Sequence, residues 1–368
     1  MTEMNNMSAQ APEKRFSKIW RIIRSFLASI KLAITLLVII LVCCVIGVTI
    51  VRGERAGALI FGTIWFNGLL VLLVVNVAFC FFGRLLSRKV TIISLGMILF
   101  HLSFVAMMGG IIYNSLFYFR GLIRLTEGEA LPNNDLRSFD YAEMGRFFDM
   151  SRYKGKTTLV KMHTDYSVDG QNKLAAYEIA VEDAPGRKQG IIYITKNMDH
   201  EGFQYIPDRE GYSQLILLHD KAGRMLYGAH VPLQSLKRKD GTYLYTTGTR
   251  EGPGAFPYPH EPLSPLYYLQ IAYHPTSLKE RAGDAEFQVW QFRGEPPKPG
   301  EKPLAERKVR IGEQLHVGEN YLSAAEVRYW VIMSVRYEPG KPIVLTSLWV
   351  GLSGMIITFI GRMARSSA

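Results

Sequence analysis

Cysteine is almost missing from this sequence of 368 residues. Its three cysteines, Cys43, Cys44 and Cys80, lie in apolar segments near the N-terminus, and the long polar segment at 118–340 has none. The absence predicts that this segment has no disulfides, no cysteine-ligated zinc and no thiol redox centre, and no Cys-x-x-Cys-His pattern provides covalent haem attachment. We expect Cys80 to be a packing residue rather than a redox group.

Recognisable catalytic patterns are missing as well. The segment 118–340 has seven histidines, at 163, 200, 219, 230, 260, 274 and 316, and no two of them have His-x-His or His-x-x-x-His spacing. No Gly-x-Ser-x-Gly, Walker or helix-opening Gly-x-Gly-x-x-Gly sequence occurs. We therefore predict a chain that is not itself an enzyme, with these histidines on its solvated surface.

The excess of basic over acidic residues is confined to the two ends of the chain. Residues 1–117 hold 11 Lys/Arg and 3 Asp/Glu, and residues 341–368 hold 3 Lys/Arg and no acid, whereas 118–340 hold 29 of each sign. A nucleic-acid-binding protein would concentrate its positive charge on the folded polar domain. The distribution argues against nucleic acid as a partner.

Four long apolar runs are the main positive feature of the sequence. They cover Leu32–Val51, Ala58–Phe82, Val90–Leu116 and Ile343–Ile360. A helix that crosses a bilayer needs about 20 apolar residues. We predict a membrane protein with four transmembrane α-helices, three N-terminal and one C-terminal, and with a large mostly-β extracytoplasmic domain inserted between the third and fourth spans.

The basic residues that flank these runs predict the orientation of the chain. They cluster in the N-terminal arm, in the loop between the second and third runs, and in the C-terminal tail: Lys14, Arg15, Lys18, Arg21, Arg24, Lys31, Arg84, Arg88, Lys89, Arg362 and Arg365. Loops rich in Lys and Arg stay in the cytoplasm. Both termini are therefore expected in the cytoplasm of a bacterial cell, and 118–340 in the periplasm or an equivalent compartment.

Four segments follow from this reading. Residues 1–31 form a cytoplasmic basic arm, in which Phe16, Ile19, Ile23, Phe26 and Leu27 recur at helical spacing and predict an amphipathic helix on the membrane surface. Residues 32–117 form a three-helix transmembrane region, 118–340 form the extracytoplasmic β-rich domain, and 341–368 form the fourth span with a short cytoplasmic tail. Membrane lipid is an expected partner.

The segment 118–340 has the pattern of a β-rich domain. Short alternating runs such as TTLVKMH, AAYEIAV, YYLQIAY and VRYWVIMSVRY are bounded by Gly, Pro, Asn or Asp. Proline clusters in GPGAFPYPHEPLSPLYY and RGEPPKPGEKPLAE predict long surface loops.

One histidine lies inside an apolar run. His101 is near the centre of SLGMILFHLSFVAMMGG, with Met97, Val105 and Met108 on the same helical face. A polar ring at this depth suggests function. A neutral imidazole can serve as a metal ligand, and the thioether and aliphatic groups beside it would form a flexible apolar wall. The alternative is a structural histidine bonded to a neighbouring helix, for example to Asn67 or Asn76.

Several strings resemble ResB-type cytochrome c biogenesis proteins of the system II pathway, in a divergent and compact form. The similar strings are SIKLAITLLVIILVCCVIGVTI, IWFNGLLVLLVVNVAFCFFGRL, the His101 run, GLIRLTEGEAL and VRYEPGKPIVLTSLWVGLSGMIITFIGR. In this last string, Ser347-x-x-x-Gly351 predicts a small-residue face for close helix contact.

The resemblance implies a subunit that binds haem b transiently, passes it outward and helps present it for attachment to apocytochrome c. His101 would be an axial ligand of the haem iron, and Met97, Val105 and Met108 would form the wall. The family's partner is a tryptophan-rich ResC/CcsA-type membrane protein, here expected on a separate chain. That partner would supply the second axial ligand, because one straight helix cannot reach both porphyrin faces.

A second function from a different class remains open. The chain would then be a membrane-tethered extracytoplasmic β domain that binds a ligand or acts as a scaffold for other proteins. Haem in the purified protein would separate the two hypotheses.

Overall fold

The structure is a computed structural model that describes residues 12–82, 91–173, 175–183, 186–239, 241–249, 252–260, 262–276, 281–298 and 300–366, without the side chains at 12–19, 54 and 82. The chain divides into two compact units. The helical unit comprises Met1–Phe119, Met144–Phe148 and Tyr337–Ala368, and the β unit comprises Arg120–Glu143 and Asp149–Arg336.

Five main helices are found among the described residues of the helical unit. They are α1 (Pro12–Leu27), α2 (Ile30–Ile46), α3 (Ile64–Val77), α4 (Ile92–Phe117) and α5 (Lys341–Ser366). Single π-helical turns extend α2 over Gly47–Val51 and α3 over Ala78–Phe82. Within the described ranges, four helical segments are long and apolar enough to cross a membrane, namely Ile30–Val51, Ile64–Phe81, Ile92–Phe117 and Lys341–Ser366. The four predicted apolar helices are confirmed, and α1 coincides with the predicted amphipathic segment.

The second apolar helix begins later than predicted. The apolar run starts at Ala58, but a separate π turn occupies Gly57–Phe61 and α3 begins only at Ile64. Thr63 is extended, and its hydroxyl accepts a hydrogen bond from Phe66 N at 3.4 Å, as an N-cap residue does. A continuous helix from Ala58 is therefore wrong. The predicted start of the third run at Val90, and the basic residues Arg84, Arg88 and Lys89, lie outside the described residues.

Three of the helices share an apolar core. Leu36 of α2, Phe66, Leu70 and Leu73 of α3, and Met108 of α4 form one buried cluster together with Ile60. Asn76 of α3 is also buried, and its Nδ2 donates to Leu27 O at 2.6 Å and Ser29 O at 3.0 Å. Asn76 therefore fixes the corner between α1 and α2.

Helices α4 and α5 pack through small residues. A Cβ atom added at Gly96 of α4 would lie 2.6 Å from Gly354 O of α5, and one at Gly351 would lie 2.5 Å from Ser103 Oγ. Ser347 and Gly351 are both buried. Small residues let two helix backbones approach closely, so the predicted Ser347–Gly351 contact face is confirmed.

The β unit is built almost entirely from strands, which confirms the mostly-β class. The strands are β1 (Phe119–Thr126), β2 (Ala130–Pro132), β3 (Phe139–Met144), β4 (Lys156–Thr164), β5 (Ser167–Val168), β6 (Gln171–Asn172), β7 (Ala175–Asp183), β8 (Gly186–Ile192), β9 (Met198–His200), β10 (Phe203–His219), β11 (Met225–Pro232), β12 (Gln234–Lys237), β13 (Tyr243–Thr246), β14 (Gly248–Thr249), β15 (Gly252–Pro253), β16 (Phe256–Tyr258), β17 (Tyr267–Pro275), β18 (Gly283–Gln291), β19 (Ala305–Arg310), β20 (Gln314–Val317) and β21 (Asn320–Tyr337).

Three sheets organise these strands. The largest has the order β11-β10-β21-β1-β3, with β20 paired to β21 and β9 paired to β10. The second has the order β12-β13-β17-β18-β19, with β16 paired to β17, and the third has the order β2-β4-β7-β8. The described part of the unit also has two short hairpins, β5–β6 and β14–β15. Neighbours such as β10 and β11, β17 and β18, and β4 and β7 are antiparallel.

Tyrosines fill the space between the first two sheets. The Tyr212 ring lies 4.6 Å from Tyr245, 5.0 Å from Tyr273 and 5.2 Å from Tyr329, measured between centroids. Burial raises the pKa of Tyr273 to about 12 because the phenolate would lose its hydration. These rings are therefore packed as neutral core groups.

The first proline-rich segment is not the surface loop that its composition predicts. It contains β15 and β16, and Tyr258 within it is fully buried. The Tyr258 hydroxyl donates to Ile216 O at 2.6 Å, which anchors the segment on β10. Proline is tolerated here because these strands are short and make few ladder hydrogen bonds.

Candidate functional site

The ring of His101 is held by its own helix. Its Nδ1 lies 2.9 Å from the carbonyl oxygen of Met97, one turn earlier in α4. Because a carbonyl oxygen can only accept a hydrogen bond, Nδ1 carries the proton, and Nε2 of the neutral ring keeps its lone pair. Metal-bound histidines commonly have this arrangement, in which one ring nitrogen donates to a carbonyl and the other is left for the metal.

An aromatic ring from the π turn after α3 fixes the plane of the imidazole. Phe81 stacks on His101 with 3.5 Å between ring centroids and 9° between ring planes. Phe100 approaches edge-on, with its centroid at 5.3 Å. Both contacts position the ring without using a nitrogen atom. His101 therefore contacts the π turn after α3 by ring stacking and not by a hydrogen bond.

The two asparagines expected as alternative partners bond elsewhere. Asn67 Nδ2 donates to Thr63 O and to Ser115 Oγ, both at 2.9 Å. Asn76 donates to the α1–α2 corner. Within the described ranges, no group lies within hydrogen-bonding distance of His101 Nε2.

The predicted porphyrin wall divides into two parts. Met97 and Val105 are half-buried, as His101 is. Met108, two turns beyond His101, is 9% exposed and packs in the α2–α3–α4 cluster. Its burial favours a packing role, whereas Met97 and Val105 lie one turn on either side of His101 on α4.

The donor set around His101 fits one axial position of haem iron. The apolar helices of the chain contain no second histidine, since the other seven all lie in 118–340. Among the described residues, no group of three or more His, Cys, Asp or Glu is arranged to hold a metal ion. One imidazole in an apolar setting suits a haem that is shared with another protein.

A separate apolar cleft lies on another face of α4. It has a volume of about 270 Å³ between α4 and α5, and Phe100, Phe104, Met107, Leu348, Leu352 and Met355 are among its lining residues. His101, Met97, Val105 and Met108 do not line it. The cleft and the histidine are therefore two distinct features of the helical unit.

The β unit has a polar cleft of its own, with a volume of about 610 Å³. It lies between Arg209 and Glu210 of β10, strand β12, the β15 residues and Trp330. Lys237 lines it, and Arg238 and Lys239 continue the chain as exposed cations. In the part of the chain that the structure describes, none of these three cations has a carboxylate within 4.0 Å. The cleft brings Lys237 and Glu210, which carry opposite charges, together beside strand β12.

The acidic turn in GLIRLTEGEAL has a structural role that the sequence did not reveal. Glu127 is 8% exposed, and its carboxylate is paired with Arg281 Nη2 at 2.7 Å. Arg328 Nη1 donates to Glu127 O at 3.2 Å, and Gly128 takes φ +84°. Burial of an acid requires such a partner. The partner, 154 residues away, could not be identified from local sequence.

No family model matches this chain, and no curated protein matches it. His101 and its immediate neighbours therefore carry the functional proposal.

Proposed function

We propose that this chain is a membrane subunit of a c-type cytochrome assembly complex of the system II type. It would bind haem b as cargo, pass it outward and help present it to apocytochrome c. The observation that carries the proposal is the imidazole of His101, whose Nδ1 donates to Met97 O while Nε2 is left without a partner among the described residues. The resemblance of the apolar strings to ResB-type proteins supports the same reading.

The energetic argument favours a ligand at Nε2. A polar atom that lies in an apolar phase without a hydrogen-bond partner costs about 1–3 kcal/mol. Helix α4 is long and apolar enough to lie in a membrane, where water would not supply that partner. Coordination of haem iron by Nε2 would remove the cost, and the Phe81 stack already holds the ring in one plane. Haem iron is a Lewis acid that accepts the lone pair of a neutral imidazole nitrogen.

The rest of the site must come from another chain. His101 can occupy only one axial position, and the described helices offer no other histidine. We propose that a ResC/CcsA-type partner supplies the opposite ligand. The five tryptophans, Trp20, Trp65, Trp290, Trp330 and Trp349, are scattered, so the tryptophan-rich segment of that family would also belong to the partner.

The proposed orientation follows from charge. The exposed arginines Arg21 and Arg24 near the end of α1 and Arg362 and Arg365 near the end of α5 would face the cytoplasm. The β unit would then be extracytoplasmic, on the side where apocytochrome c is matured. The basic face of α1 and its exposed Trp20, Ile22 and Phe26 suit the membrane surface.

Optical spectra of the full chain, purified with its co-expressed partner, test the proposal. We expect a Soret band in the wild type and its loss or shift in His101→Gly. Leu102→Gly is the matched control, because Leu102 is the next residue of α4, is 49% exposed, and loses at least as much helix propensity as His101 does. A colourless wild-type complex, or an unchanged spectrum in a well-inserted His101→Gly protein, would contradict the proposal.

The scaffold hypothesis remains the second candidate because of the polar cleft at β12. If the β unit only binds ligand or protein, the purified chain would be colourless and would still capture partners. Lys237→Glu together with Arg238→Glu should then abolish capture, whereas a haem-binding chain would keep its Soret band in the same variant.

A further inference from the structure

A short segment between β3 and β4 belongs to the helical unit. This return loop, Met144–Phe148, contacts the C-terminal end of α4. Gly145 N donates to Tyr118 O at 2.8 Å, and Phe147 N donates to Leu116 O at 2.9 Å. The last carbonyls of a helix lack intrahelical partners. The return loop therefore supplies a backbone donor to the end of α4.

The geometry of the return loop is tightly fixed. A Cβ atom at Gly145 would lie 2.5 Å from Leu116 C and 2.7 Å from Phe117 N, so only glycine allows this approach. On the other side, the Phe148 ring stacks on Phe119 at 5.1 Å. The orientation of Phe147 between these anchors is thus set by the fold.

Phe147 points away from the protein, although it is large and apolar. It is 57% exposed, and its ring lies 5.9 Å from Phe117, which lies 4.9 Å from Tyr113. Tyr113 is itself 38% exposed. These three rings form one aromatic strip along the end of α4. Tyr is enriched at the membrane–water interface, and Phe is common on the face that interfacial segments bury there.

The start of α5 lies at the same level as the strip. Gly340 N donates to Asn114 Oδ1 at 3.3 Å, and α5 begins at Lys341. Asn114 follows Tyr113 directly, so one membrane-length helix ends and another begins beside these rings. A cation, Arg146, is exposed next to Phe147. The strip therefore has the position, the ring chemistry and the flanking charge of a lipid-interface anchor.

We infer that the return loop is a membrane anchor, in which Phe147 inserts beside Tyr113 and Phe117 into the interfacial layer of a phospholipid bilayer. Arg146 lies where it can meet lipid phosphate. The inference depends on the part of the proposed function that places α4 and α5 in a membrane. It does not depend on haem binding.

Depth-dependent fluorescence quenching in nanodiscs tests this anchor. A single cysteine replaces Phe147 in a full chain with Cys43, Cys44 and Cys80 changed to Ala, and it carries an environment-sensitive fluorophore. The bilayer is phosphatidylcholine with phosphatidylglycerol and contains lipids with a nitroxide at acyl carbon 5 or carbon 12. Trp349→Cys is the reference position, because Trp349 is 68% exposed and lies about 12 Å along α5 from its start.

We expect the label at 147 to be quenched at least twofold more by carbon-5 than by carbon-12 nitroxide, and weakly by aqueous iodide. The label at 349 should be quenched more by carbon 12. Iodide quenching at 147 with no lipid quenching would overturn the anchor, and normal lipid quenching at 349 would show that the membrane assignment still holds. Loss of lipid quenching at both positions would contradict both.

A photo-crosslinking amino acid at 147 in the cysteine-containing chain gives a second readout that needs no change in the helix core. Lipid adducts identified by mass spectrometry would support the anchor. Adducts formed only with a partner protein would show that residue 147 contacts protein rather than lipid, and would refute the inference.

Discussion

Two glycines of helix α4 give a sharp test of its packing against α5. Gly96 and Gly109 both lie in α4, 13 residues apart in sequence. A Cβ atom at Gly96 would lie 2.4 Å from Thr358 Oγ1, 2.6 Å from Gly354 O and 2.7 Å from Thr358 N. A Cβ atom at Gly109 would meet nothing within 4 Å. Alanine at Gly96 must push α5 away, whereas alanine at Gly109 has room.

The expected magnitude follows from two opposing terms. Replacing Gly by Ala inside a helix gains about 0.8–1.0 kcal/mol of helix propensity in either variant. Overpacking against backbone atoms costs about 1–3 kcal/mol, and only Gly96→Ala incurs it. Because the propensity gain is common to both, the difference between the two variants isolates the packing cost. We expect Gly96→Ala to be less stable than Gly109→Ala by about 1–3 kcal/mol.

Unfolding of the full chain in mixed micelles by a stepwise increase of dodecyl sulfate, followed by far-UV circular dichroism, measures this difference. Gly109→Ala should match or slightly exceed the wild type. Equal midpoints for the two variants, or a larger loss for Gly109→Ala, would refute the α4–α5 packing described above.

Three further predictions concern the β unit and the orientation of the chain. Gln214 is fully buried and neither amide atom has a partner among the described residues, so Gln214→Met should stabilise the full chain against urea by about 1–3 kcal/mol; destabilisation would point to a buried water at the amide. Burial raises the pKa of Tyr273 from 10.0 to about 12, so the stability that its neutral form contributes is fully present below pH 10 and is lost as the pH rises to 12. The unfolding midpoints at pH 9 and 11.5 should therefore differ less in Tyr273→Phe than in the wild type, and an identical difference would contradict the raised pKa. Reporter fusions after residue 87 and at the C-terminus should be cytoplasmic, and fusions near 130, 240 and 300 external; a cytoplasmic reporter at 240 would invert the proposed topology.

The helices were predictable because each is specified by local composition. Long apolar runs define α2 and α5 to within two residues at their N-terminal ends. The start of α3 was not predictable from hydropathy, because Gly62 and Thr63 interrupt a run that remains apolar on both sides. Hydropathy measures transfer into an apolar phase, whereas the break depends on backbone geometry and a cap.

The β unit was predictable in class but not in extent. Strands β4, β7 and β17 coincide closely with alternating runs. Strand β10 begins at Phe203, ten residues before the run SQLILLH, and its first three residues, Phe203–Tyr205, pair with β9. The extent of such a strand depends on its pairing register with strands that are distant in sequence.

The candidate site was likewise predictable only in part. His101 was identifiable because a titratable ring inside an apolar run is unusual. The Phe81 stack and the burial of Met108 depend on how α3 turns past α4, which spacing along one helix does not specify. The ring contact from the π turn was therefore missed.

Rescue of His101→Gly by small aromatic compounds tests the central claim most directly. If Nε2 ligates haem iron, imidazole should enter the cavity left by the ring and restore the Soret band and cytochrome c assembly in a concentration-dependent way. Pyrrole, which has a similar shape but no nitrogen lone pair for a metal, should restore neither. Equal rescue by pyrrole and imidazole, or a wild-type spectrum in His101→Gly without any additive, would contradict ligation and assign His101 to packing against Phe81.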